Sequence, residues 1–198
     1  MNVICVHGYL APKQIFWPIA RELKVHGFRP QIHAYASHRG TLNDHGDALA
    51  GLLEKTADRP TSIVAHSLGG IVVKNTLTRF NFPIEHLVFI ATPHQGSAMS
   101  RLLRASVIGR FMSLAVKHTA HAQYPKFSHP SVGIIAGRRD PLVKLSETRL
   151  ECARHRLELP FGHNEILLRR RTAKAIATFL RRGYFAADDA IDLTQLLP

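Results

Sequence analysis

Cysteine is scarce in this chain of 198 residues: there are two, Cys5 and Cys152. Two thiols make neither a disulfide framework nor a metal quartet, so no structural metal is expected. Both read as buried small hydrophobes. No apolar run reaches the roughly 18 residues of a membrane span. The opening "MNVICVHGYL" lacks a basic leading region, a long apolar stretch and a small-residue cleavage site, so it does not read as a signal peptide. These absences favour a soluble cytoplasmic enzyme, unless a leader has been trimmed. Acidic residues are few as well: 14 Asp plus Glu stand against 26 Lys plus Arg, a net charge of +12. Such a surplus raises anionic partners. The basic residues are scattered, however, and the densest group, "RRR" at 169–171, falls in an expected helix. No nucleic-acid motif and no aromatic interleaving accompany them, so nucleic acid is not expected as a partner. A solvated basic surface is the plain reading. A weak contact with an anionic membrane surface, or an anionic substrate, is the alternative.

What is present is a packed α/β pattern. Hydrophobic residues make up 45% of the chain, enough for one globular core. Short apolar runs alternate with helical stretches. Strands are expected at 2–7, 29–35, 62–66, 86–91, 131–137 and 155–160. Helices are expected at 13–27 with Gly27 as C-cap, at 42–56 with Thr41 as N-cap, at 68–80 and at 164–180. This alternation implies about six mostly parallel strands joined by right-handed crossovers, with helices on both faces of the sheet. No internal repeat, low-complexity tract or linker divides the chain, so residues 1–198 read as a single domain. Residues 184–198 form an acidic tail with three aspartates and no Lys or Arg.

One serine stands apart. In "SIVAHSLGG", Ser67 falls where the third strand turns into a helix, flanked at two residues' distance by Ala65 and Gly69. This is the pattern of a nucleophile elbow, G-x-S-x-G, with Ala in place of the first Gly. The turn holds the serine in a strained backbone, so its neighbours must be small. It also aims a helix N-terminus at any developing negative charge. An ordinary capping serine is the competing reading. A nucleophilic serine needs a base, and the base needs an orienting acid. Asp140, in "GIIAGRRDPLV", follows the fifth strand, and His163, in "LPFGHNEI", follows the sixth. The order Ser67, Asp140, His163 is the one this topology requires. Asp140 also reads as a turn residue before Pro141.

Acyl transfer further needs fixed N–H donors for the oxyanion. The amide of Leu68, after the serine, is one candidate. Tyr9, in the "VHGYL" loop after the first strand, is the other, with Leu10 in reserve. His7 reads as a structural hydrogen-bonding residue.

Together the blocks "VHGYL", "AHSLGG", "ATPHQGS", "GRRDPLV" and "GHNEI" resemble those of the α/β-hydrolases, and occur in their order from Val3 to about Ile166. The likeness is greatest to small bacterial lipases and esterases and to the PGAP1-like lipase group. It implies a minimal α/β-hydrolase fold that lacks the leading strands of larger members, leaving one sheet edge exposed. It implies a carboxylic ester hydrolase with a Ser67–His163–Asp140 triad, an acyl-enzyme intermediate and no cofactor, acting on a small-molecule or lipid ester. Tyr9, Leu10, His66 and His94 would lie against the substrate, and Trp17 would anchor the first helix in the core. An amidase, thioesterase or acyltransferase would share the triad, and a non-catalytic binding module is the remaining alternative. Between the fourth and fifth strands, residues 97–130 read as a crossover helix and small helical insertion. A small cap lining an acyl pocket is the functional version of that reading.

Overall fold

The computed structural model describes residues 1–56, 58–96 and 131–186. Six parallel strands form one sheet: β1 (Asn2–Val6), β2 (Arg29–His33), β3 (Thr61–His66), β4 (Ile84–Ile90), β5 (Ser131–Gly137) and β6 (His155–Leu159). Their order is β2-β1-β3-β4-β5-β6. Every neighbouring pair is parallel. Among the described residues five α-helices accompany them: α1 (Trp17–Val25), α2 (Leu42–Glu54), α3 (Leu68–Arg79), α4 (Glu165–Leu168) and α5 (Arg170–Arg182). The expected fold class is therefore the observed one.

The central strands are mostly apolar and buried because both faces are covered, whereas the edge strands β2 and β6 carry polar, partly exposed residues. Successive side chains point to opposite faces. Val3 and Cys5 of β1 and Val88 and Ile90 of β4 face one layer, packing with Phe16, Ile19 and Leu23 and with Ile176 and Phe179 of α5. Ile4, Val6, Leu87 and Phe89 face the other, packing with Leu49 and Leu53 of α2 and Ile71 and Leu77 of α3. Burying each such Leu, Ile or Phe contributes about 1.5–3 kcal/mol.

Local signals explain most element ends. Thr41 accepts the Asp44 N–H at 3.2 Å while Asp44 accepts the Thr41 N–H at 2.6 Å, the reciprocal box expected at the start of α2. Past α1, Gly27 lies at φ 82°. Its N–H reaches Lys24 O and the Phe28 N–H reaches Leu23 O, both at 3.0 Å, closing the helix.

Several expectations are corrected. The stretch 13–27 is not one helix: Lys13–Phe16 is a 3-10 turn, and α1 begins at Trp17. Pro18 has no N–H to give to a preceding turn, so it must sit within the first turn of a fresh helix. The restart changes the helical phase. Ile19 and Leu23 then point inward, and Trp17 is 60% exposed instead of anchoring the core. The last helix is likewise two pieces, interrupted at Arg169, whose backbone is extended. Cys5 is buried, and burial pushes its thiol up to about 12. Cys152 is exposed, not buried, because it lies in the loop before β6 rather than on a strand. Residues 97–130, with the expected crossover helix and cap, and residues 187–198 of the acidic tail lie outside the described residues. At the start of that tail, the Phe185 ring packs against Phe179, tilted, with centroids 4.7 Å apart. Among the described residues no helix is long and apolar enough to cross a membrane.

Candidate active site

Ser67 sits between β3 and α3 at φ 51°, ψ −122°, a conformation an L-residue adopts only under constraint. The constraint is visible. A Cβ at Gly69 would press on the carbonyls that end β1, lying 2.6 Å from His7 O and touching Val6 O. The small residue after the serine therefore lets α3 start hard against β1. A Cβ at Gly8 would lie 3.0 Å from Ser67 Cβ and 3.1 Å from His66 Nδ1. The loop after β1 is thus pressed onto the serine.

Across the sheet edge, the loops after β5 and β6 bring the other two residues to it. His163 Nε2 lies 3.0 Å from Ser67 Oγ, and His163 Nδ1 lies 2.7 Å from Asp140 Oδ2. A carboxylate only accepts, so Nδ1 carries the proton and Nε2 offers its lone pair to the serine. Asp140 Oδ1 accepts the N–H groups of Leu142 and Val143 at 2.8 and 2.9 Å. Its two readings from sequence are one: the turn that Asp140 closes aims its second oxygen at His163. The carboxylate is 1% exposed and the imidazole 10%.

The loop after β1 is fixed from below. The Tyr35 hydroxyl donates to His7 O at 2.8 Å. The His7 ring stacks on Tyr35 at 4.5 Å and its Nδ1–H donates to Gly8 O at 2.9 Å, a structural use. Leu10 takes φ 51°, held by its N–H donating to Ser37 Oγ at 2.9 Å. That bond removes Leu10 as a reserve oxyanion donor, while its side chain remains 59% exposed. Tyr9 follows Gly8 in the loop pressed against Ser67. Leu68 is the first residue of α3, where an N–H has no partner within the helix.

His66 and His94 do not present open walls; both rings are buried. His66 Nε2 lies 2.9 Å from the backbone oxygen of His163, so it donates, and the two rings sit 4.7 Å apart. Burial, then the neighbouring His163, holds the His66 imidazole down to about 3, so it stays neutral. His94 meets the edge of Phe89 at 4.8 Å, and burial lowers it to about 3 as well. Sequence reading did not find Ser37, Tyr35 or the His66–His163 bond. The polar-aromatic end of β2, "HAYAS", was the available signal for the first two.

No protein-family model and no curated protein matches the sequence. Solved structures do. The lipase BlEst2 of Bacillus licheniformis, in its mature form, superposes with a TM-score of 0.72 at 18% identity, over 92% of this chain and 91% of that one. A thermophilic esterase from Thermogutta terrifontis superposes at 0.65 with 16% identity, over 92% and 90%. An extracellular alpha/beta-hydrolase from a Paenibacillus species superposes at 0.64 with 14% identity, over 92% and 98%. At these identities the likeness is one of fold: the chain has the α/β-hydrolase fold, in a small form with six strands.

Proposed function

We propose that this protein is a serine hydrolase that cleaves carboxylic esters. The observation that carries the reading is the continuous path from Ser67 Oγ through His163 to Asp140, at 3.0 and 2.7 Å. The lipase and esterase among the similar folds support the ester class.

In the proposed reaction, Ser67 Oγ attacks the ester carbonyl carbon and its proton passes to His163 Nε2. Asp140 stabilises the imidazolium. The carbonyl π electrons move onto oxygen, and the N–H groups of Leu68 and Tyr9 donate hydrogen bonds to the oxyanion that forms; one such donor is worth about 3 kcal/mol in the barrier. The C–O bond to the alcohol breaks, and His163 returns the proton to the departing alkoxide. Water then attacks the acyl carbon as His163 takes its proton, the bond from that carbon to Ser67 Oγ breaks, and His163 returns the proton to Oγ, leaving the acid and free Ser67. In this reading Tyr9 and Leu10 would wall a short apolar groove beside the serine. Each acyl methylene buried there adds about 0.8 kcal/mol, roughly fourfold in kcat/KM, until the groove is full.

The test is a panel of p-nitrophenyl esters of rising acyl length, run beside fluorophosphonate labelling of the native protein and of Ser67→Ala. Hydrolysis and labelling in the native protein alone, with a maximum at medium chains, is the expected result. Labelling that persists in Ser67→Ala places the nucleophile elsewhere, and a native protein that neither labels nor turns over an ester sinks the reading.

A further inference from the structure

The outer face of the helix pair α1 and α5 is almost entirely cationic. The two helices lie side by side on one face of the sheet, tied by Arg170 Nε to Glu22 Oε2 at 3.4 Å and by Arg181 Nη2 to His26 O at 2.9 Å. Their inward residues, among them Ile19, Leu23, Ile176 and Phe179, share one core cluster. Outward, α1 carries Trp17, Arg21 and Lys24 at i, i+4 and i+7, all exposed. On α5, Arg170, Lys174, Arg181 and Arg182 are exposed and Arg171 is half-buried. Seven cations on the two helices face a single acid, Glu22, itself largely buried. That surplus of six is half of the chain's net +12. An ordinary solvated helix interleaves both signs, since like charges one turn apart repel.

Apolar groups stand among the charges. Trp17 is 60% exposed, Val25 73% and, on α4 beside them, Leu168 56%. Trp17 opens the helix that follows β1, and α4 follows β6, so both lie at the carboxyl edge of the sheet. Ser67, at the end of β3, shares that edge.

We propose that this face docks on an anionic lipid surface. The cations match the surface charge, and the indole and aliphatic side chains enter the headgroup layer. A nucleic acid would answer the charge but leave Val25 and Leu168 without a partner. The proposal concerns binding and does not depend on ester hydrolysis.

Trp17 is the only tryptophan of the chain, so its emission reports this face alone. The full-length protein is titrated with vesicles of phosphatidylcholine, and of phosphatidylcholine mixed with phosphatidylglycerol. The expected result is co-sedimentation with the mixed vesicles alone, a blue shift of Trp17 emission, and loss of both at raised salt. Lys174→Gln with Arg182→Gln removes two exposed cations and should weaken partition about 25-fold, at roughly fivefold each. Circular dichroism checks that this double variant is folded, and its turnover of a soluble short ester should match the native rate. Three outcomes overturn the proposal: no partition onto anionic vesicles, partition without a Trp17 shift, or a Trp17 response to duplex DNA but not to vesicles.

Discussion

The residue with most leverage on the candidate site, apart from the three aligned ones, is His66. Its Nε2–H holds the backbone oxygen of His163, so the strand that presents the serine also holds the loop that presents the base. Its Nδ1 is buried, and among the described residues it has no hydrogen-bond partner. We expect His66→Leu to leave the His163 oxygen unsatisfied, at about 1–3 kcal/mol. If that loss falls on the alignment of His163, kcat drops roughly tenfold to a hundredfold with KM little changed. His66→Gln keeps an N–H donor and should recover most of kcat. Equal kcat in both variants would reduce the bond to packing. Asp140→Asn should keep the shape but reverse the tautomer of His163, lowering turnover by about 10³- to 10⁴-fold; a loss under about tenfold would mean that another carboxylate orients the base. The three aligned residues were readable in sequence because each falls at or within a few residues of the end of a strand run, in the order Ser67, Asp140, His163. The His66 bond was not readable. It joins positions 97 apart, and no local pattern records which ring atom meets which carbonyl.

Among the elements, the fold's order of strands and helices was legible, but phase was not. Period counting over 13–27 found apolar spacing and missed that Pro18 restarts the helix, which turns Trp17 outward. The interruption at Arg169 escaped for a related reason: a run of arginines fits helical spacing, and nothing local to it signals the extended backbone at Arg169 that separates α4 from α5. Glycine positions allow a direct test of element packing. Gly51→Ala adds a methyl within α2 where nothing among the described residues lies within 4 Å. It should raise stability by about 0.5–1 kcal/mol, read as a rise in Tm of about 1–4 °C. Gly69→Ala drives a methyl into the β1 carbonyls and should do the reverse: a loss of about 1–3 kcal/mol and displaced Ser67, seen as lower Tm and lost fluorophosphonate labelling. An unchanged Tm in Gly69→Ala would mean that α3 does not start hard against β1.

At the scale of the whole molecule, buried histidines tie stability to pH. Burial, the largest cause for each, holds His33 to about 4 and His66 and His94 to about 3. The unfolded chain takes up these protons near pH 6.5 and the folded one refuses them until well below. Between those limits the unfolded state binds more protons, so stability falls as pH falls, by up to about 1.4 kcal/mol per pH unit for each ring. Above about pH 7 these rings add no slope. Melting curves should therefore hold a level Tm from pH 7 upward and drop steeply from pH 6 to 4; equal Tm values at pH 5 and 7.5 would count against neutral burial.

The strand order carries a consequence in time. From β1 outward the sheet runs β3, β4, β5, β6: β3 joins β1, and each later strand lies beside the one made just before it. Growth along that side can follow synthesis, with each new strand finding its template already in place. Ser67 is set early, when β3 joins β1, but Asp140 and His163 arrive only with the last two additions. The strained turn at Ser67 must therefore persist while its partners are still unattached. On refolding from denaturant, helical and sheet signals should return before fluorophosphonate reactivity, with an interval set by the docking of β5 and β6.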